Sequence, residues 1–255
     1  MFTFTQAALD GYIAQFFFPF VRIMAMMAVV PVLGNRAIPA RVKVALAVLI
    51  TIAAAPMLPE SYSTPVDSYL GYVTIGREIL IGVAMGMTVR LIFAAIEMGG
   101  EIAGLQMGLS FAGYIDPSSG SNNTAVSSYF GIIAVLLFLS INGHLLLISG
   151  VVNSFQHIPV GAGADVIGIS KTIAQMGVKI FSVALSIALP IIVTLLVVNL
   201  GLGIMSRIAP QLNVFAVGFP ISLTVGLCAV LFLLPYMERP LRILLEHSTT
   251  MLGRF

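Results

Sequence analysis

The sequence predicts an all-α membrane protein of about six hydrophobic helical segments, several kinked or broken into helical hairpins. Three observations carry that expectation. Hydrophobic residues make up 59% of the 255 and charged residues only 9%, against about 25% charged in an ordinary soluble domain. Mean hydropathy is +1.07. The apolar residues also gather into long runs, and prolines or charges sit inside nearly every run. Such interruptions argue that the segments do not sit in the bilayer as independent spans.

Composition also excludes several classes. The formal net charge is +2 with no Lys/Arg cluster, so nucleic acid is not an expected partner. Cys228 is the single cysteine, which rules out a disulfide within the chain and leaves it as a small buried apolar residue. Trp is absent, and interfacial anchoring falls to Tyr, Phe and the basic residues. No Lys or Arg precedes the first apolar run, and Asp10 stands there instead. That run reads as a span rather than a signal peptide.

The expected segments are 11–33, 44–58, 71–98, 125–152, 180–205 and 221–234, within one membrane domain spanning 1–255. The first is long enough to cross about 30 Å of hydrocarbon and carries Arg22 near its middle, between Pro19 and Pro31. A charge there must face protein or water, and pairing with a neighbouring helix is the simplest solution. Arg36, Arg41 and Lys43 follow without an acid, which places that connection on the cytoplasmic side. The segment 44–58 ends among Pro56 and Pro59, and the next loop holds Glu60 and Asp67 but no base. The segment 71–98 contains Arg77, Glu78, Arg90 and Glu97, with Gly82 and Gly86 forming a small-xxx-small pair that permits close helix approach. Continued past Gly99, the same helix would place Arg90, Glu97 and Glu101 on one face, and Gly100, Gly104, Gly108 and Ala112 on a ridge.

Residues 98–124 read MGGEIAGLQMGLSFAGYIDPSSGSNNT. Irregular backbone at membrane depth is tolerated where it is buried in protein or lines a passage. A loop closing a passage over 104–124 and a short helix followed by a surface loop are both compatible with this composition. The segment 125–152 has no charge but includes Asn142, Gly143 and His144. His144 is expected to be a hydrogen-bonded packing residue, since no second ligand stands at metal-binding spacing. Ser170 is expected to cap a helix, Pro190 to kink the segment 180–205, and Ser206–Pro220 to interrupt the hydrophobicity again. The tail 236–255 looks amphipathic, with Glu238, Arg239, Arg242, Glu246, His247 and Arg254 set among Leu241, Leu244, Leu245 and Leu252. Six simple crossings conflict with the distribution of basic residues, so one run is re-entrant or the spans do not stand independently.

The run GIMSRIAPQLNVFAVGFP (203–220), with Pro210, Gln211, Asn213, Phe215 and Pro220, resembles the signature of the FliR family of flagellar type III export-gate proteins. PVLGNRAIPARVK (31–43), GLQMGLSFAGYIDP (104–117) and FLSINGHLLLI (138–148) resemble other parts of that family in order. The resemblance implies a pore-forming and gating subunit in the bacterial inner membrane, within the flagellar basal body. One copy would assemble with several copies of FliP and FliQ, with FlhB and FlhA attached, and would help conduct unfolded flagellar subunits. It implies a pore plug at Gly108, Leu109, Ser110, Phe111, Ala112, Gly113, Tyr114 and Ile115, with Phe111 at its centre. Arg22, Arg77, Glu78, Arg90, Glu97, Glu101 and Arg207 would then serve mainly as subunit contacts. No cofactor, metal or catalytic residue is implied.

Two alternatives stand beside this. One is the corresponding subunit of a virulence secretion gate. The other is a small-molecule transporter, because interrupted segments near residues 108 and 210 are what broken transporter helices look like. No internal repeat or clustered intramembrane site supports the latter. An intramembrane enzyme is disfavoured, since no HExxH is present and His144 and Ser149 are poorly spaced for a shared helix face.

Overall fold

A computed structural model describes residues 6–58, 65–109, 124–161, 166–209 and 214–252. Among them the regular structure is helical throughout. The α-helices are α1 (Gln6–Val29), α2 (Ala40–Ala54), α3 (Tyr69–Gln106), α4 (Ala125–Ser140), α5 (Gly143–His157), α6 (Val166–Ile208), α7 (Val214–Leu233) and α8 (Glu238–Leu252). Short 3-10 turns follow α2 and α7.

Among the described residues, four helices are long and apolar enough to cross a membrane, namely α1, α3, α6 and α7 together with its 3-10 turn. The pair α4 and α5 passes the same test together, as a broken span or a re-entrant loop. At 15 residues, α2 is about 22 Å long, short of the roughly 30 Å of a hydrocarbon core. Burial within the chain covers 61% of the most apolar window of α3 but only 28% of that of α6 and 22% of that of α7. The latter two therefore offer most of their apolar surface to something outside the chain. The charge-free run 125–152 is not one continuous helix. It breaks at Asn142, whose φ of 57° is left-handed. Asn tolerates that conformation better than other side-chain-bearing residues, and the following Gly143 opens the next helix.

The chain divides into two compact units. Met1–Leu91, Asn142–Met176 and Leu244–Phe255 form one, and Ile92–Ile141 and Gly177–Ile243 form the other. In the first unit, α1 packs along α2. Ala14 and Phe18 are fully buried there against Phe17, Val66, Ile75 and Val160. Gly82 and Gly86 of α3 face α1. A Cβ on Gly82 would collide with the carbonyl oxygen of Arg22, and one on Gly86 would lie 2.7 Å from that of Met26. The small-residue pair thus brings α3 close enough to α1 for polar side chains to meet.

Arg22 and Glu78 meet at that approach, 0% and 1% exposed. Nε of Arg22 donates to Oε2 of Glu78 at 2.6 Å, and Nη2 donates to Oε1 at 3.0 Å. Nη1 donates to Oγ of Ser154, and Nη2 also to the carbonyl of Ile158, both at 3.0 Å. The ring of Phe155 lies 4.1 Å from the guanidinium carbon. A forked, charge-assisted pair backed by an aromatic face satisfies most of a cation that cannot reach water. These two charges, grouped by the sequence with subunit contacts, are instead consumed inside this chain. The low-dielectric interior makes an unpaired charge costly, so it recruits the nearest opposite charge.

In the second unit, α6 buries Ala184, Ile187, Ala188, Ile191 and Leu195, a stripe at helical spacing. Phe93 and Phe138 meet edge to face at 5.5 Å, joining α3 to α4. Ser170 lies inside α6, which begins at Val166, so it does not cap that helix. The helix also runs continuously through Pro190. Cys228 is exposed rather than buried, because most of α7 faces outward. In α8, Leu241 and Leu245 are buried while Glu238, Arg239, Arg242 and Glu246 are exposed.

Arg22→Met should strand Glu78 and cost about 3–5 kcal/mol. The pair Arg22→Met with Glu78→Leu should recover most of that loss. Thermal inactivation of the detergent-extracted protein checks both, and a double variant no better than the single would refute the account.

Candidate functional site at the junction of α3 and α4

The sequence directs attention to the 104–124 region, whose flanks the structure describes. On the entering side α3 ends in a Schellman motif. Leu109 N donates to the carbonyl of Gly104 and Gly108 N to that of Leu105, both at 3.0 Å. Gly108 has φ 81°, a left-handed position that glycine fills without strain. The glycine ridge from Gly100 therefore does not continue as helix through Gly108. Two residues assigned to the plug, Gly108 and Leu109, belong to the helix cap. Ser110, Phe111, Ala112, Gly113, Tyr114 and Ile115 lie outside the described residues.

On the leaving side, Thr124 is the N-cap of α4, and its Oγ1 accepts from Ser127 N at 3.2 Å. Oε2 of Glu101 accepts from both Thr124 N at 2.8 Å and Thr124 Oγ1 at 3.0 Å. The carboxylate thereby also sits at the positive end of the α4 dipole. Glu101 does not simply extend a face with Arg90 and Glu97 towards other subunits. It closes the two ends of its own loop.

Small residues make this junction tight. A Cβ on Gly104 would stand 2.5 Å from Oγ1 and 2.8 Å from Cβ of Thr124. One on Gly100 would stand 2.9 Å from Cα of Ser127. Further along, Glu97 lies against Gly131, whose added Cβ would be 2.9 Å from Oε1. Ser127 Oγ donates to the Glu97 carbonyl at 2.9 Å. The helices α3 and α4 thus run together as an antiparallel hairpin with glycines at the seam, a geometry that permits close backbone contact. Just past the last turn of α3, the fully buried Met107 fills a notch on α7 at Gly226, where a Cβ would be 2.6 Å from Cγ of Met107.

The other predicted residues are dispersed. Arg77 is half-buried, and Arg90 is exposed on α3 with no acidic partner among the described residues. Arg207 is exposed in the last turn of α6, where a cation suits the helix dipole. Pro210, Gln211 and Asn213 lie outside the described residues. Phe215 and Pro220 fall in α7, and Thr224 Oγ1 donates to the Pro220 carbonyl at 2.8 Å. Nδ1 of His144 is buried without a hydrogen-bond partner, contrary to the expected bonded packing residue. His157 closes α5. The described residues contain no His/Cys/Asp/Glu cluster able to hold a metal ion. Thr124 and Met107 were not singled out by sequence reasoning. A Thr immediately before an apolar run is an N-cap signal that could have found the first.

Comparison with known proteins decides the family. The profile described as "Bacterial export proteins, family 1" matches residues 13–248. The chain is 46% identical to the flagellar biosynthetic protein FliR of Pectobacterium carotovorum, covering 92% of this chain and 90% of that protein. It is 43% identical to FliR of Escherichia coli K12, over 88% and 86% of the two chains. FliR of Bacillus subtilis is 31% identical over 83% and 82%. The chain belongs to the FliR family. A FliR-family protein is a membrane-integral component of the flagellar export apparatus.

In this FliR-family chain, Gly226→Val should displace Met107 and cost about 1–3 kcal/mol by overpacking. Adding Met107→Ala should relieve the crowding, so the double variant loses less than the two singles combined. Midpoints of thermal inactivation measured on all three variants check this, and strict additivity would contradict the socket.

Proposed function

We propose that this chain forms and gates the pore of the flagellar type III protein export gate in the inner membrane, at the flagellar basal body. One copy assembles with several copies each of FliP and FliQ, and FlhB and FlhA attach to the assembly. Unfolded flagellar subunits pass through it. The segment 108–117 acts as a hydrophobic plug centred on Phe111, held by Gly108 and Leu109 in the cap of α3 and flanked by Ser110, Ala112, Gly113, Tyr114 and Ile115.

The observation that carries this reading is the junction itself. A stretch rich in glycine and small residues, with Phe111 and Tyr114 in it, leaves α3 and returns to α4 at flanks held together by Glu101 and Thr124. A conduit for unfolded chains must be chemically unselective, so small and apolar groups suit it better than strong binding sites. When idle it must exclude ions, and an apolar constriction does so by dewetting. The flagellar branch is supported by the relatives, each of which is a flagellar biosynthetic protein.

Remaining charges fit subunit contacts. Arg90 lies in an apolar helix with its side chain exposed, and facing lipid there would cost at least a few kcal/mol. An acidic group or water at an interface with another subunit removes that cost. Arg207 is exposed in the same way at the end of α6.

Replacing Phe111 with Gly should raise ion leakage in cells carrying the assembled apparatus, measured as conductance or dye entry. Leakage at the wild-type level would sink the plug assignment. Arg90→Glu should lower co-purification of FliP and FliQ by about tenfold or more, as expected when a buried interfacial charge pair is reversed, while leaving the amount of this chain in membranes unchanged. Undiminished co-purification would show that Arg90 is not at a subunit contact.

A further inference from the structure

We propose that the slot between α2 and α5 holds an acyl chain of an anionic phospholipid, whose phosphate is bound by Arg36 and Arg41. The inference needs only that the chain is membrane-integral, and it stands apart from the plug reading.

Both helix segments belong to the first unit, and between them lies an open cavity of about 530 Å³, within the roughly 300–1,000 Å³ of small-molecule sites. Leu49, Ala53 and Ala54 line it from α2, and Leu145, Ile148 and Ser149 from α5. Ala54 is buried at its floor, and Leu49 and Leu145 stand exposed at its rims. Ser149 adds no unused donor, because its hydroxyl donates to the Leu146 carbonyl at 2.9 Å. Asn153 is the other polar residue in the lining, and it is exposed. Such a slot lacks the convergent polar groups that select a polar ligand. Left empty, its walls forfeit dispersion contacts, and a flexible hydrocarbon chain restores them.

Charge decides which lipid. Between Gly11 and Leu58 the chain carries Arg22, Arg36, Arg41 and Lys43 and no acidic residue. Arg22 is consumed by Glu78, and Lys43 Nζ donates to the Gly34 carbonyl at 2.9 Å. Arg36 and Arg41 are exposed, with no acidic partner among the described residues. Asn35 Oδ1 accepts from Ala37 N at 2.9 Å, which orders the turn carrying Arg36. Two such guanidiniums suit a phosphate, whose oxygens accept their forked donors.

Length joins the charge to the slot. Leu49 and Ala53 follow Arg41 along α2 by about 12 and 18 Å at 1.5 Å per residue. One leaflet's share of a hydrocarbon core of roughly 30 Å is about 15 Å. An acyl chain running along α2 from a phosphate at Arg41 therefore reaches the slot. A helix of a neighbouring subunit is the poorer occupant. Leucine rims offer neither the polar partner nor the small-residue ridge on which helices seat in membranes, whereas Arg36 and Arg41 match the anionic cytoplasmic leaflet.

The test uses the assembled apparatus, reconstituted into phosphatidylcholine vesicles containing phosphatidylglycerol with a diazirine near the end of one acyl chain. Illumination should label the peptides that carry Leu49, Ala53, Leu145 and Ile148, read by mass spectrometry. The same diazirine on phosphatidylcholine should label them about tenfold less, since each basic residue near an anionic surface contributes roughly a fivefold preference. Arg36→Gln with Arg41→Gln should remove that preference while labelling elsewhere on the chain stays the same. Ala53→Trp, which fills the slot from its exposed side, should abolish labelling at Leu145 and Ile148. Equal labelling by the two lipids, or a preference that survives both Gln substitutions, would overturn the proposal. An unlabelled slot in the assembled apparatus would also overturn it, because another protein would then occupy the place. None of these failures touches the leakage expected of Phe111→Gly, which reports on the plug alone.

Discussion

Arg22 has no path to water, and this fixes much of the first unit. A guanidinium in an apolar interior needs a carboxylate, and its several donors need acceptors in the plane of the fork. Glu78 supplies two oxygens, Ser154 a hydroxyl and Ile158 a carbonyl. Those groups come from α3, from α5 and from the residue just beyond it. Three distant parts of the chain are therefore held at one point. The pair forms only because Gly82 and Gly86 let α3 lie against the backbone of α1. Bulk at either glycine would separate the helices and leave both charges in a medium that cannot solvate them.

The second unit meets the same constraint differently. Its hairpin of α3 and α4 also relies on glycines, Gly100, Gly104 and Gly131, but the polar group at the seam is a carboxylate with no cationic partner among the described residues. Glu101 is stabilised by an N–H, a hydroxyl and the positive end of α4. Half-exposure makes this affordable. A buried ion pair suits a fixed core, and a helix-capping carboxylate suits the place where a chain leaves a helix and must return to the next.

The sequence made parts of this legible and hid others for definable reasons. That Arg22 required a partner was readable from its position in an apolar run. That Glu78 was the partner was not, since the two are 56 residues apart and no local period links them. The Gly82–Gly86 spacing announced a close approach without naming α1 as the neighbour. Gly108 matched the ridge of small residues and the family's plug motif. Its left-handed φ, which makes it a helix terminator, is a property of the backbone and not of that spacing. Asn142–Gly143 is a turn dipeptide, but the apolar residues around it masked the break. Cys228 follows burial statistics for soluble proteins, and a helix whose outer face meets lipid or protein has no reason to hide it.

The long helices sharpen the difference between an isolated span and a subunit. The face of α6 opposite its buried stripe carries Phe181, Leu185, Leu189, Val193, Leu196 and Leu200, all exposed. Apolar area of this kind is neutral towards lipid and does not by itself call for a protein partner. Charge makes the distinction. Arg90 in the middle of α3 is exposed without an acidic partner among the described residues, and lipid is a poor environment for it at any tilt of the helix. The proposed subunit contact would give Arg90 the acidic group or water that lipid withholds.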